Sequence, residues 1–426
     1  MKKSIKKILC LLLTLIFLVF VFPINLKSAS ASTNNNLPAQ GNTYPIVMVH
    51  GLFGWGNDEV FGLNYWGGKN SIRTMLTDAG YDVYTPTIGP VSSNWDRACE
   101  LYAYLKGGTV DYGQAHSQKA GHNRYGKTYE GILKDLGQNK DGVIQKVHLM
   151  GHSMGGETIR VLAQLLESGD DKEIKATGDN TSSLFKGNQH WIESITTIGT
   201  PHDGSQEDER MEKYEPFAHD LFAAAATEAG LKDTSSLKYN LQMEQWGLKR
   251  EENESYNHYY ERVAKSPIWK KTHDLSNWDL SLEGAKELNS WVKAQKDIYY
   301  FSISCQDTHK DIFSPFQVPN VNMSPVLMKS SIFMGRYVQN KIGHVIVDSS
   351  WWKNDGIVSV RSAIAPHEGT SDEITDYNGT PEKGKWNYLE NIKDVNHLEI
   401  VQQKQSYHKI YLQNKFKKWA SMLSKL

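Results

Sequence analysis

The pentapeptide Gly-His-Ser-Met-Gly at residues 151–155 constrains the fold of this 426-residue chain more than any other feature. An apolar run at residues 147–150 precedes it and predicts a buried strand, while helical spacing follows at 158–166. A Gly-x-Ser-x-Gly turn in this context lifts its serine above a sheet, because the two glycines let the strand and helix backbones approach closely. We therefore predict that Ser153 is an activated nucleophile at the end of a buried strand.

Other apolar runs alternate with helical segments along the chain. Predicted strands lie at residues 45–50, 81–85, 147–150, 192–198 and 297–303, and predicted helices at 72–76, 158–166 and 406–423. The first run is apolar without interruption, which is typical of a strand that is buried on both faces. The alternation predicts an α/β protein with a mainly parallel central sheet flanked by helices.

Two long segments interrupt this alternation. A polar, Gly-, His- and Tyr-containing insertion spans about residues 92–142, and a largely helical segment occupies about 205–295. In the second segment one helical stripe is apolar: Met211, Tyr214, Ala218, Leu221, Phe222, Ala225 and Ala229. The stripe fits a helix packed on the core, or a mobile amphipathic lid whose apolar face meets substrate or an oil–water interface.

The N-terminus has the pattern of a secretory signal peptide at residues 1–31, with lysines, a short apolar run and an Ala-Ser-Ala cleavage site. The alternative is an uncleaved anchor, although the run is short for a membrane span. Residues 32–43 are a polar lead-in, and 44–426 form the catalytic domain. Cleavage leaves 42 basic and 48 acidic residues, a net charge of −6. We therefore expect a secreted protein with no stable membrane anchor and no nucleic-acid partner.

A nucleophilic serine needs a histidine base and an acid to orient that base. On a fold of this kind their chain order is serine, acid, histidine. His397 precedes the final helix and fits the base, whereas His408 lies within that helix. Asp355 precedes an apolar run and fits the acid, and the other candidates for that role are Asp307, Asp348 and Asp394.

The developing oxyanion needs two hydrogen-bond donors. The backbone N–H of Met154 is one candidate, because it follows the nucleophile at a helix N-terminus. The N–H of Leu52 is the other, in the glycine-rich segment 50–56 that follows the first strand. The alternative for that segment is an ordinary glycine-rich turn.

Taken together, these residues resemble the secreted bacterial true lipases of the Bacillus–Staphylococcus type, the zinc-containing branch of the α/β-hydrolases. The resemblance covers nearly the whole mature chain and rests on residues 49–56, 65–68, 92–100, 107–113, 200–204, 279–281 and 354–358. It implies an α/β-hydrolase fold with a zinc-tethered insertion and a helical lid, and it implies that Ser153, Asp355 and His397 form the catalytic triad.

The resemblance also implies a zinc ion that ties the insertion to the cap. The matching positions are Asp96, His116, His122 and Asp279. Two imidazoles and two carboxylates can close a four-coordinate site with no open position for a catalytic water, so such a zinc is structural. The spacing of the two histidines alone would favour surface residues.

A calcium site near the catalytic histidine belongs to the same family pattern. Glu399 matches one ligand, but about Lys404 and Gln405 stand where an aspartate and a proline are expected. A lysine brings positive charge where an oxygen ligand is needed. The sequence therefore favours the absence of calcium.

These inferences predict a secreted serine carboxylic-ester hydrolase of the triacylglycerol lipase type, which acts on lipid or other ester substrates at an oil–water interface. Four alternatives stay open. They are a catalytically silent surface-binding protein on the same fold, an esterase not specialised for lipids, an acyltransferase that uses another acceptor, and a peptidase or amidase with the same triad.

Overall fold

Seven parallel strands form the central sheet, which confirms the predicted α/β class. The computed structural model describes residues 41–56, 63–207, 239–403 and 407–426. The strands are β1 (Ile46–Val49), β2 (Val83–Tyr84), β3 (Gly108–Asp111), β4 (Tyr125–Tyr129), β5 (Asn139–Lys140), β6 (Val143–Ile144), β7 (Val147–His152), β8 (Ile192–Ile198), β9 (Tyr299–Gln306), β10 (Thr308–Lys310), β11 (Gln317–Pro319), β12 (Ile374–Asp376) and β13 (Trp386–Lys393). The order across the sheet is β12-β13-β9-β8-β7-β1-β2, and the remaining strands form three antiparallel pairs.

Helices cover both faces of this sheet. They are α1 (Ile72–Asp78), α2 (Asn94–Lys106), α3 (Gln114–Ala120), α4 (Met154–Ser168), α5 (Asp171–Thr177), α6 (Tyr256–Ala264), α7 (Ile268–Lys271), α8 (Ser276–Asp279), α9 (Leu282–Trp291), α10 (Pro325–Met334), α11 (Val360–Ile364) and α12 (Lys409–Leu423). Short 3₁₀ turns lie at Gly178–Asn180, Ser183–Phe185, Glu244–Trp246 and Ser349–Trp351. Within the described residues, no helix has the length and apolarity to cross a membrane.

All four residues of β1 are apolar, because both faces of this strand are buried. Ile46 and Met48 pack into one hydrophobic cluster, and Val47 and Val49 pack into the other cluster across the sheet. Burial of each such side chain contributes about 1.5–3 kcal/mol. Successive side chains of a strand point to opposite faces of the sheet, so the apolar residues of β1 pack against the helices on both faces.

The strand order reverses between β1 and β7, because β2 follows β1 on one side and β7 returns to the other. In a parallel α/β sheet, the carboxyl ends of the strands at such a switch point form the usual ligand crevice. Segment 50–56 leaves β1 at this point, and Ser153 leaves β7 beside it.

The segment 92–142 is more ordered than a surface insertion. Its first part is α2, a largely buried helix that packs on α4, and Ser93 caps it by accepting a hydrogen bond from the N–H of Asp96 at 3.1 Å. The remainder contains β3, α3, β4 and the β5–β6 hairpin. The sequence did not reveal α2 as a buried helix, because its buried residues include the polar Asn94, Arg97 and Glu100.

Candidate active site and metal centre

Ser153 occupies a strained turn between β7 and α4. Its φ is 57° and its ψ is −134°, a left-handed conformation that costs a non-glycine residue about 1–3 kcal/mol. The flanking glycines are required by contact: a Cβ at Gly151 would lie 2.5 Å from the backbone of Gly155, and one at Gly155 would lie 2.3 Å from the carbonyl oxygen of Val49. The predicted turn geometry is therefore present at Ser153.

His397 and Asp355 lie side by side and are joined by two hydrogen bonds. His397 Nδ1 is 2.7 Å from Asp355 Oδ2, and the backbone N–H of His397 donates to the carbonyl of Asp355 at 2.9 Å. The second carboxylate oxygen accepts hydrogen bonds from the N–H groups of Ile357 and Val358, at 3.2 and 2.8 Å. The carboxylate is thus fixed on both oxygens and holds the imidazole in one orientation.

The structure places this pair at the same sheet edge as Ser153. A Cβ at Gly199, directly after β8, would lie 3.3 Å from Asp355 Oδ2 and 3.4 Å from His397 Nδ1. The N–H of Ser153 donates to Ile198 at the end of β8, at 2.9 Å. Among the contacts of the described residues, Ser153 Oγ makes no hydrogen bond to His397. Such a bond is often long without substrate and tightens in the complex.

Two unengaged backbone donors flank the serine. Within the described parts of the chain, neither the N–H of Leu52 nor that of Met154 donates a hydrogen bond. The loop that carries Leu52 packs against the nucleophile, because a Cβ at Gly51 would lie 2.6 Å from Ser153 Cβ. Buried Arg97 fixes this loop by donating to the carbonyl of His50 at 2.5 Å.

A hydrogen-bond chain joins this loop to the backbone of His397. The N–H of Gly51 donates to the hydroxyl of Tyr65 at 3.0 Å, so the hydroxyl proton is directed at His152 Nδ1, 2.6 Å away. His152 Nε2 then carries the ring proton and donates to the carbonyl of His397 at 3.0 Å. Burial, and secondly the neighbouring His397, hold the pKa of His152 well below its usual range. The ring is therefore neutral, with one tautomer. Sequence reasoning missed this pair because His152 is a variable position of the Gly-x-Ser-x-Gly motif and Tyr65 lies 87 positions before it.

Four other side chains converge on one point beside α2. Asp96, His116, His122 and Asp274 each offer a ligand atom, and these atoms lie within 4.8 Å of one another. The imidazole Nε2 atoms lie 3.0–3.7 Å from the nearest carboxylate oxygens. Adjacent ligands of a tetrahedral zinc are about 3.3 Å apart, since the Zn–N and Zn–O bonds are about 2.0–2.2 Å long.

The donors in this cluster have the character of metal ligands. Asp96 Oδ1, His116 Nε2, His122 Nε2 and Asp274 Oδ2 are buried and lack hydrogen-bond partners. His122 Nδ1 lies 2.8 Å from the carbonyl of Asn123, which fixes the tautomer that leaves Nε2 free to bind a cation. The residues present therefore fit a bound metal ion.

The structure groups Asp274, and not the predicted Asp279, with Asp96, His116 and His122. Asp279 Oδ2 instead accepts a hydrogen bond from the N–H of Asn94 at 2.5 Å, at the start of α2. Burial raises the pKa of Asp279 to about 7. Both aspartates belong to the sequence His-Asp-Leu-Ser-Asn-Trp-Asp, five residues apart, and α8 between them turns them toward different partners.

The calcium prediction stays untested. Glu399 Oε1 lies 3.0 Å from His408 Nδ1, and Asn396 Nδ2 donates to Glu399 Oε2 at 3.4 Å. Residues 404–406, which include Lys404 and Gln405, lie outside the described residues. So do the signal peptide at 1–31, most of the lead-in, and the apolar stripe from Met211 to Ala229 on which the lid prediction depends.

Known proteins share this architecture and much of this sequence. Residues 42–426 match the family described as "Lipase-like, C-terminal domain". Lipase 1 of Staphylococcus aureus is 40% identical over 389 residues, which are 89% of this chain and 54% of that protein. The chain thus spans about half the length of the curated relatives it matches.

Solved structures share the fold over most of the chain. EstA from Clostridium botulinum is 45% identical with a TM-score of 0.84, covering 91% of this chain and 88% of that one. Lipase 1 from Pelosinus fermentans is 45% identical with a TM-score of 0.81, covering 89% and 98%. The Staphylococcus hyicus lipase is 35% identical with a TM-score of 0.73, covering 93% and 98%.

Proposed function

The chain belongs to the family of lipase-like C-terminal domains, and from that premise we propose that it is a secreted serine ester hydrolase of the triacylglycerol lipase type. The observation that carries this proposal is the convergence of the strained Ser153 with the hydrogen-bonded His397–Asp355 pair at one sheet edge. The signal-peptide pattern of residues 1–31 supports secretion.

In the proposed reaction Ser153 Oγ attacks the carbonyl carbon of the ester, and His397 Nε2 accepts its proton. Asp355 keeps Nδ1 protonated and stabilises the imidazolium that forms. The N–H groups of Leu52 and Met154 donate to the oxyanion of the tetrahedral intermediate. The alcohol leaves with the proton from His397, and the acyl group remains on Ser153.

Water then completes the cycle. His397 removes a proton from the water as it attacks the acyl-enzyme, and returns that proton to Ser153 Oγ when the carboxylic acid leaves. An acyltransferase would use the same acyl-enzyme with another alcohol in place of water. Product analysis in the presence of glycerol separates the two, because an acyltransferase forms new glycerides from a soluble ester.

We propose zinc as the ion held by Asp96, His116, His122 and Asp274. Two imidazoles and two carboxylates fill a tetrahedral shell, so the ion would supply cross-linking and no catalytic water. It would join α2 and α3 to the segment that leads into α8, and thereby hold that segment against the catalytic unit.

Substrate class is tested by initial rates on p-nitrophenyl esters from acetate to stearate and on emulsified triolein. A lipase should hydrolyse the long-chain esters and should show a rate increase when triolein forms an interface. Hydrolysis confined to short soluble esters would favour an esterase. No hydrolysis of any ester would favour the silent surface-binding alternative and contradict the proposal.

We predict that Tyr65→Phe lowers kcat about tenfold with little change in KM. The change removes the acceptor for Gly51 N–H and the donor to His152 Nδ1, each worth about 1 kcal/mol. The first loss loosens the loop that carries Leu52, and the second loosens His397. Both groups act in the transition state, so the substitution should lower kcat.

The matched control is Tyr300→Phe. The buried Tyr300 hydroxyl also accepts a backbone N–H, from Gln295 at 2.9 Å, but it lies toward the amino end of β9 and away from the nucleophile. The Tyr300→Phe substitution should lower the stability of the protein and leave kcat unchanged. Equal kcat values for wild type and Tyr65→Phe would show that the hydrogen bonds through Tyr65 and His152 do not position His397.

A further inference from the structure

Large apolar side chains are exposed on the segment between β9 and Asp355. Six such side chains lie there, with exposed fractions between 57% and 102%: Ile312, Phe313, Val321, Val338, Ile342 and Ile346. Clusters of exposed apolar side chains on a water-soluble surface indicate an interaction site. We call this surface the apolar patch.

Four of its members lie on two loops, Ile312 and Phe313 on the first and Ile342 and Ile346 on the second, while Val321 follows β11 and Val338 precedes the second loop. Residues 311–316 join β10 to β11, and residues 340–346 form a second loop closed by the Gln339–Val347 bridge. The ring of Phe316, at the end of the first loop, packs on that of Trp352 at 5.3 Å, and the N–H of Gln317 donates to the carbonyl of Gly335, just after α10, at 2.9 Å. The apolar tips are therefore held on an ordered support.

That support also carries the candidate catalytic acid. Ser331 on α10 donates to Asn354 Oδ1 at 2.8 Å, and a Cβ at Gly356 would lie 2.8 Å from the Leu327 side chain. Asn354 and Gly356 flank Asp355. The first loop follows β9 and β10 directly, and the second precedes Asp355 by a few residues, so the chain ties both loops to the edge of the sheet at which Ser153 lies.

Charge around the patch is opposite in sign to that of the chain. Residues 308–353 contain five basic residues and two acidic ones, a net charge of +3, whereas the whole chain carries −1. The basic side chains are Lys310, Lys329, Arg336, Lys341 and Lys353, and all of them are exposed. Cations beside inserting apolar groups favour an anionic lipid surface, since each adds attraction near the headgroups.

We propose that the apolar patch is the surface by which the enzyme docks on an anionic lipid–water interface. Ile312, Phe313 and Ile342 enter the acyl boundary, while Lys310 and Lys341 remain at the headgroups. This inference rests on the proposed lipase function and adds a docking element outside segment 205–295. Docking here brings the carboxyl edge of the sheet to the lipid.

Co-sedimentation with vesicles tests the proposal, using the full chain with Ser153→Ala so that no lipid is hydrolysed. The vesicles contain phosphatidylcholine alone or with added phosphatidylglycerol. We expect tighter binding to the anionic vesicles, and about a tenfold or greater loss of binding in the triple variant Ile312→Ser, Phe313→Ser, Ile342→Ser. Lys310→Glu with Lys341→Glu should weaken binding to anionic vesicles by about tenfold or more, and should have little effect on phosphatidylcholine.

The control is Val143→Ser with Ile144→Ser. These side chains are also exposed, but they lie on β6, just before the amino end of β7 and so at the opposite edge of the sheet. The control should bind vesicles as the parent does, and in the active background every variant should hydrolyse p-nitrophenyl butyrate at the parental rate. Absence of that hydrolysis with intact vesicle binding would contradict the proposed function and leave the docking surface supported.

Parental vesicle binding by the triple variant would overturn the docking proposal. If sedimentation without lipid also showed a dimer that the triple variant dissociates, the patch would instead be a contact between two copies of the chain.

Discussion

Hydrolysis of p-nitrophenyl butyrate is expected to fall by about 10⁵-fold when Ser153 is replaced by alanine. The change removes the only atom that forms the proposed acyl-enzyme, and the oxyanion donors of Leu52 and Met154 remain to give a residual rate. Replacing His397 as well should add little further loss, because the two residues act as one unit. Initial rates measured at high enzyme concentration provide the comparison.

The matched control is Ser194→Ala on β8. The Ser194 hydroxyl lies 2.8 Å from His148 Nδ1, so its loss should reduce stability and leave the rate unchanged. Ser153→Ala should keep the parental circular dichroism spectrum and melting temperature, because alanine retains the backbone of the turn. A Ser153→Ala enzyme with more than a few per cent of parental activity would refute the assignment of the nucleophile.

Removal of bound metal should lower the melting temperature by roughly 5–10 °C. Without a cation, Asp96 and Asp274 are two buried carboxylates facing two imidazoles, and α2 and α3 lose their link to the segment before α8. Calorimetry before and after dialysis against a strong chelator, followed by zinc addition, measures the loss and its recovery. An unchanged melting temperature after confirmed metal removal would contradict a structural role.

The two aspartates of this region provide a sharp comparison. Asp274→Asn should reduce the zinc content measured by mass spectrometry from about one ion per chain to a small fraction of that. Asp279→Asn should retain zinc, because Asp279 accepts from Asn94 and its amide replacement keeps an acceptor oxygen. If Asp279→Asn loses zinc and Asp274→Asn keeps it, the ligand set in the structure is incorrect.

The sheet was predictable where strands are buried on both faces. Residues 192–198 were predicted as a strand and form β8 with the same bounds, because its isoleucines and threonines favour a strand and all seven residues are buried. β13 was missed because Asn387, Glu390 and Asn391 interrupt its apolar residues without a regular alternation, and β12 has only three residues, with exposed ends. The α2 helix was missed because it buries charged side chains. The hydrogen-bond partners of these side chains come from distant parts of the chain, as Thr158 does for Arg97.

Motif and chain order selected Ser153 and left several candidates for the acid, and the family resemblance then singled out His397 and Asp355, whose side chains lie 2.7 Å apart in the structure. They could not separate Asp274 from Asp279, because that choice depends on the direction in which a four-residue helix turns each carboxylate. Neither could they find the link between Tyr65 and His152, which are 87 positions apart. Contacts of this kind arise only when β1 and β7 become neighbours in the sheet.

The close packing around Ser153 limits which positions of this enzyme can be substituted. A Cβ at Gly155 would overlap the backbone of β1, and one at Gly156 would lie 2.0 Å from Thr200 Oγ1. Random libraries at these glycines should therefore yield almost no folded clones. New substrate preferences must instead arise from residues that surround the crevice without supporting its floor, and laboratory evolution of this scaffold is best directed there.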